Sequence, residues 1–109
     1  MKIIDQSSIE HVINVGGQEL LDELIGMFKL MESKVIAAID AEKSGEFEDV
    51  YINVHTLRSG ASNLGLEKVL ETTAVIEKKL KQNDTETLSA DLTELKKNYN
   101  EALNHLLKI

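Results

Sequence analysis

The stretch EFEDVYINVHTLRSGASNLG, residues 46–65, decides the fold that we predict for this chain. Its apolar residues recur every three or four positions, which is the period of a helix with one buried face. These residues are Phe47, Val50, Val54, Leu57, Ala61 and Leu64. Gly65 then supplies the left-handed conformation in which helices often end. We therefore predict an amphipathic helix from Glu46 to Leu64.

The rest of the chain shows the same helical period, and no segment alternates with the period of two that indicates a half-buried strand. Four further helices follow from this pattern: Ser7 to about Val15, Leu20 to near Ser44, Val69 to Leu80, and Leu88 to Leu106. Ser7 and Glu10 have the S-x-x-E spacing of a capping box, so the first helix is expected to begin at Ser7. The breaks fall at Gly16-Gly17, Ser44-Gly45 and Asn83-Asp84.

Short breaks between four long amphipathic helices force neighbouring helices to pack antiparallel. The chain has no proline, and it has no linker, repeat or low-complexity segment that would indicate a second domain. The expected architecture is therefore all-α: an up-down-up-down four-helix bundle with a short additional N-terminal helix, forming a single domain over residues 1–109.

Composition excludes several classes of function. The 109 residues include 12 Lys+Arg and 19 Asp+Glu, and the net charge of -7 opposes binding to nucleic acid or to an anionic membrane. The absence of cysteine excludes disulfides, thiolate metal sites and iron-sulfur clusters. Asp5 and Glu10 interrupt the apolar stretch that a signal peptide needs, and no run of about 18 apolar residues could span a membrane. We expect a soluble, cytoplasmic, monomeric protein.

Several catalytic motifs are also missing. Gly16-Gly17 lacks the G-x-x-x-x-G-K spacing of a phosphate-binding loop, so no ATP-dependent kinase activity is expected. The di-iron site of helical bundles needs Glu-x-x-His pairs, but Ser8, Ile52 and Ala102 lie three residues before the histidines. No G-x-S-x-G turn is present for a serine nucleophile.

The three histidines differ in their settings. His11 and His105 lie near helix ends, where surface or capping roles explain them. His55 lies in the middle of its helix, and at about 100° per residue it faces away from the apolar stripe. Its neighbours on the exposed face are Tyr51, Arg58, Ser59 and Ser62.

Arg58 is the only arginine, and it lies one helical turn after His55. Two cations at this spacing repel each other. The pair makes better sense if His55 carries a phosphoryl group, because the guanidinium would then donate to its oxygens. An accidental solvated face remains the alternative interpretation.

The run HTLRSGASNLG, residues 55–65, resembles the signature H-x-L-K-G-S-A-x-x-L-G of histidine-containing phosphotransfer domains. The likeness extends over all 109 residues and includes the later helix with Val75-Ile76-Glu77 and the acidic break after it. Two departures are visible. Arg58 replaces the usual lysine, and the usual Gly-Ser order is reversed to Ser59-Gly60, which adds a hydroxyl where a partner's loop would approach.

The resemblance implies a phosphotransfer protein of a multistep two-component phosphorelay. His55 would accept a phosphoryl group from a receiver-domain aspartyl phosphate and pass it to another receiver. Arg58 would offset the phosphate charge, and Glu77 would accept a hydrogen bond from Nδ1 of His55, which leaves Nε2 as the nucleophile. The residues expected to leave access for the partner are Ser59, Gly60 and Ser62.

The resemblance also implies the partners, which are receiver domains of response regulators and hybrid histidine kinases. Magnesium would belong to the receiver, so no cofactor is expected on this chain. The helix from Leu20 to near Ser44 also has more apolar residues than one narrow buried stripe needs, namely Met27, Leu30 and Met31. Some of them are expected on a docking surface, and Leu30 is a better candidate for it than either methionine. Two alternatives stay open: a helical adaptor that relays no phosphate, and a phosphoaccepting domain of a larger histidine kinase, although Met1 favours a separate protein.

Overall fold

The computed structural model describes residues 1–109, and every regular element in it is a helix. The helices are α1 (Gln6–Leu30), α2 (Glu32–Lys43), α3 (Phe47–Leu64), α4 (Glu67–Lys81) and α5 (Leu88–Leu106). Both α2 and α4 pack against α3 and against α5, which closes a four-sided bundle. The predicted all-α bundle with a short leading helix is confirmed.

The leading helix is the N-terminal part of α1, and it is set off by a kink at Gly17. This residue has φ 72° and ψ -171°, a backbone conformation that side chains disfavour and that glycine adopts freely. The prediction that Ser7 caps this helix is wrong. Asp5 is the N-cap, because its carboxylate accepts the Ser7 N–H at 3.1 Å and the Ser7 hydroxyl at 2.9 Å. These hydrogen bonds lower the pKa of Asp5.

The predicted helix from Leu20 to near Ser44 is interrupted at Met31, where α1 gives way to α2. The buried Tyr99 hydroxyl of α5 lies 2.6 Å from the Phe28 carbonyl oxygen and 3.1 Å from that of Lys29. A side chain that inserts into the hydrogen-bond ladder is a known cause of such breaks. Burial raises the pKa of Tyr99 to about 12, so this hydroxyl keeps its proton near neutral pH.

The apolar stripes of all five helices meet in one core of 21 buried residues. Most of the stripe predicted for α3 is in that core: Val50, Val54, Leu57, Ala61 and Leu64. Phe47, at the start of the helix, is instead partly exposed. Burial of this stripe fixes the rotation of α3 about its axis, so the opposite face, which carries His55, is directed to solvent.

Gly65 joins the end of α3 to the leading helix. It has φ 64°, and its carbonyl accepts the Asp5 N–H at 2.8 Å. A β-carbon at Gly65 would collide with the Ser8 side chain, whereas one at Gly45, which has φ 71°, would meet nothing within 4 Å. The two glycines therefore share a left-handed backbone and differ in their surroundings.

We predict that Gly45→Ala lowers the free energy of unfolding by about 1 kcal/mol, which is the cost of a left-handed alanine. Gly65→Ala is expected to lower it by about 2–4 kcal/mol, because Ser8 must also move. Urea denaturation followed by far-UV circular dichroism measures both variants. Equal losses would show that the Ser8 side chain moves aside without cost, so that the left-handed backbone alone explains both values.

Candidate active site

His55 lies in the middle of α3 on the face opposite the core, and 57% of its side chain is exposed. Its neighbours Val54 and Leu57 are buried, so the backbone that carries the imidazole is held firmly by the core. An imidazole in this setting is accessible to a second protein while its position on the helix is fixed.

Glu77 of α4 forms a hydrogen bond with the imidazole from the buried side of the site. Its side chain is only 4% exposed, and its Oε1 atom lies 2.7 Å from Nδ1 of His55. The second oxygen, Oε2, accepts from Nη1 of Arg58 at 2.5 Å. Both oxygens of this buried carboxylate therefore have a partner, which is what a charge removed from water requires. Glu77 is therefore a buried glutamate, whereas most glutamates on amphipathic helices are exposed.

The hydrogen bond from His55 to Glu77 sets the tautomer of the imidazole. A carboxylate can only accept, so Nδ1 of a neutral His55 carries the hydrogen and Nε2 carries the free electron pair. Arg58 pairs with the second oxygen of the same carboxylate, so two donors from α3 share one buried charge. The cluster thus presents one nucleophilic nitrogen to solvent.

An open groove surrounds the imidazole, and α3 supplies most of its lining. The lining residues are His55, Arg58, Ser59, Ser62, Asn63 and Leu70. Ser59 and Ser62, two of the three residues predicted to leave access for a partner, are exposed. The Ser59 hydroxyl donates to the His55 carbonyl oxygen at 3.2 Å, so it is turned back onto the helix.

Gly60 has a different environment from the one expected of an access residue. It is partly buried, and a β-carbon there would lie 2.5 Å from the sulfur of Met31. It lies outside the lining of the groove around His55. The structure therefore gives Gly60 a packing role, since its missing side chain lets Met31 approach α3.

The other residues considered from the sequence are spread over the surface. Leu30 is 77% exposed and Met27 is 56% exposed, whereas Met31 is partly buried, so Leu30 is the most exposed of the three. His11 lies in a second groove, which meets the His55 groove at Ser62 and Asn63. His105 is exposed in the last turn of α5.

Two further side chains extend the site along α3 and α4. The Tyr51 ring lies parallel to the His55 imidazole within 6°, with 5.9 Å between ring centroids. The Lys81 ammonium lies 5.8 Å from the centroid of the Tyr51 ring. The helical spacing predicted Tyr51 beside His55, but Lys81 was missed. The sequence does contain an indication of this contact, because Lys81 lies four residues after Glu77 and the two residues therefore share one face of a helix.

A scan against protein-family models matches the Hpt domain over residues 17–107. The chain therefore belongs to the Hpt domain family, and the family resemblance predicted from the sequence is confirmed. Searches of curated proteins and of solved structures found no match.

Membership of this family implies a phosphotransfer role in phosphorelay signalling, and Hpt domains generally interact with receiver domains of response regulators. No group of three or more His, Asp or Glu side chains is placed to hold a metal ion. None of the helices has the length and apolar character needed to cross a membrane.

Proposed function

We propose that this chain is a histidine phosphotransfer protein of a multistep phosphorelay. His55 accepts a phosphoryl group from the aspartyl phosphate of one receiver domain and passes it to the aspartate of another. The observation that carries this proposal is the hydrogen bond from Nδ1 of His55 to the buried Glu77, because it leaves Nε2 exposed in the groove as the nucleophile.

The transfer step balances without any further reactant. The Nε2 electron pair attacks phosphorus, an N–P bond forms, and the bond between phosphorus and the acyl oxygen breaks. The receiver's aspartate leaves with that electron pair as a carboxylate. The phosphorylated imidazole keeps its Nδ1 hydrogen and becomes a cation, and the Glu77 carboxylate stabilises that charge at 2.7 Å.

Arg58 has two tasks in this scheme. One of its N–H groups binds Glu77, while the guanidinium, 46% exposed, keeps other donors free beside the transferred phosphoryl group. Ser59 and Ser62 leave space for the receiver's loops. In this scheme the Mg²⁺ ion and the acidic pocket that stabilise the transferring group belong to the receiver, so this chain needs no cofactor of its own and no ATP-dependent kinase activity is expected of it.

The test is to mix the purified chain with purified receiver domains that carry labelled aspartyl phosphate. We expect label on this chain that is acid-labile and base-stable, with rates that differ among receivers and identify the partner. Chelation of Mg²⁺ should stop the exchange, while the chain alone should show no measurable Mg²⁺ binding by calorimetry. A chain that binds receivers and never takes up label would be a helical adaptor, and the proposal would be wrong.

A further inference from the structure

The hydrogen bond to Glu77 leaves the His55 ring one degree of freedom. A single contact at Nδ1 fixes one point of the imidazole, but the plane of the ring can still tilt about that point. With more than half of the side chain exposed, few other contacts oppose this motion. The direction of the Nε2 electron pair depends on the plane of the ring, so its control matters for an in-line attack on phosphorus.

Tyr51 is placed to remove this freedom. Its ring is parallel to the imidazole within 6° at a centroid distance of 5.9 Å, in the range of offset aromatic stacking. Tyr51 lies one turn before His55 on the same helix and is partly buried, so its own ring has less freedom than that of His55.

Lys81 contacts the Tyr51 ring in turn. Its ammonium lies 5.8 Å from the ring centroid, within the range of a cation–π contact. Lys81 extends from the last turn of α4, the helix that also supplies Glu77. The imidazole is thus held at Nδ1 by one residue of α4 and across its plane by a ring that a second residue of α4 contacts.

We propose that Tyr51 is a positioning residue for phosphoryl transfer, which fixes the plane of the His55 imidazole by stacking, and that Lys81 acts through Tyr51. This proposal rests on the function proposed above. The stacked ring also faces the imidazole after transfer, when the phosphorylated ring is cationic and an electron-rich aromatic face stabilises it. The hydroxyl of Tyr51 has no part in either effect.

The test compares Tyr51→Leu, which removes the ring but keeps apolar bulk, with Tyr51→Phe, which keeps the ring. Single-turnover transfer is measured over a range of phosphorylated receiver concentrations. We expect Tyr51→Leu to lower the maximal rate about threefold to tenfold, with the half-saturating receiver concentration unchanged. Tyr51→Phe and the matched control Ile52→Ala, an exposed neighbour, should stay within about twofold of the wild type.

Lys81→Met should lower the maximal rate less than Tyr51→Leu and should add nothing in the Tyr51→Leu background, because Lys81 acts through the ring. A rise in the half-saturating concentration alone would make Tyr51 a receiver contact and overturn the proposal. A rate loss in Tyr51→Phe, or none in Tyr51→Leu, would overturn it as well. If the wild-type chain takes up no label at all, the proposed function itself has failed.

NMR of the imidazole without any receiver gives a second measurement that does not depend on transfer. We expect the His55 ring protons to lose their ring-current shift in Tyr51→Leu and to keep it in Tyr51→Phe, while the Nδ1–H signal persists in both. Unchanged ring-proton shifts in Tyr51→Leu would show that the rings do not stack in solution, and the positioning role would fall even if transfer occurs.

Discussion

Replacing His55 by glutamine is expected to abolish phosphorylation of the chain and to leave its fold intact. The imidazole is directed to solvent and takes no part in the core, so its loss removes little buried apolar surface. The amide of a glutamine can still donate to Glu77, which also keeps Arg58 as a partner. The free energy of unfolding should therefore fall by about 1 kcal/mol at most, because the hydrogen bond to the buried carboxylate is replaced rather than lost.

The matched controls for this prediction are His11→Gln and His105→Gln. Both histidines are exposed, and neither has a buried carboxylate that fixes its tautomer, so both variants should accept label as the wild type does. His11 is the more demanding control, because its groove adjoins that of His55. Undiminished acid-labile label on the His55→Gln chain would end the assignment of phosphoryl transfer to this residue.

The face that carries His55 could be predicted from the sequence because it depends on one helix alone. Core residues spaced three and four apart fix the rotation of α3, and the positions of Tyr51 and Arg58 relative to His55 follow from the same spacing. The breaks after α2, α3 and α4 could be predicted for the same reason, since glycine and the Asn83-Asp84 pair act locally.

The interruption at Met31 could not be predicted, because its cause lies elsewhere in the chain. Tyr99 is 71 residues away from Phe28, whose carbonyl it binds, and the sequence between Leu20 and Ser44 has the period of an unbroken helix. The cap of the leading helix was misassigned for a different reason. Asp5 and Ser7 are both good capping residues, and the hydrogen bond from Asp5 to Gly65 favours the earlier start.

The environment of Glu77 also depends on packing between helices. A glutamate on an amphipathic helix is usually exposed, and only the approach of α4 to α3 places this one beneath His55 and Arg58. Likewise, the reversed Ser59-Gly60 order has a reason only in the bundle, where Met31 occupies the space beside Gly60. Contacts between side chains of two different helices cannot be predicted from the residue spacing within one helix.

This contact changes the interpretation of Arg58. The sequence suggested that Arg58 is an unpaired cation until His55 is phosphorylated. The structure shows instead that its guanidinium shares the Glu77 carboxylate with His55. Removing Arg58 therefore has two consequences: a donor beside the phosphoryl group is lost, and the whole charge of a buried carboxylate is left to His55. One oxygen of that buried carboxylate is then left without its partner, which costs free energy in the folded state.

Arg58→Ala is accordingly expected to lower the rate of phosphoryl uptake about fivefold to hundredfold, since a charge-assisted contact is worth about 1–3 kcal/mol. The free energy of unfolding should fall by about 1–3 kcal/mol. This loss is smaller than for a fully buried pair because Arg58 is half-exposed. Arg58→Lys keeps a cation, as the common form of the motif does, and should retain most of the rate.

Combining Arg58→Ala with Glu77→Gln separates the two roles of the arginine. The glutamine can still accept from Nδ1 of His55 but brings no charge, so no unpaired charge is left buried when the arginine is absent. We expect the double variant to recover most of the free energy of unfolding that Arg58→Ala loses, while its rate of phosphoryl uptake stays as low as that of Arg58→Ala. A double variant that is as unstable as Arg58→Ala would mean that Arg58 does not stabilise the buried carboxylate. A wild-type rate in Arg58→Ala itself would remove the role of Arg58 beside the phosphoryl group and leave the assignment of His55 untouched.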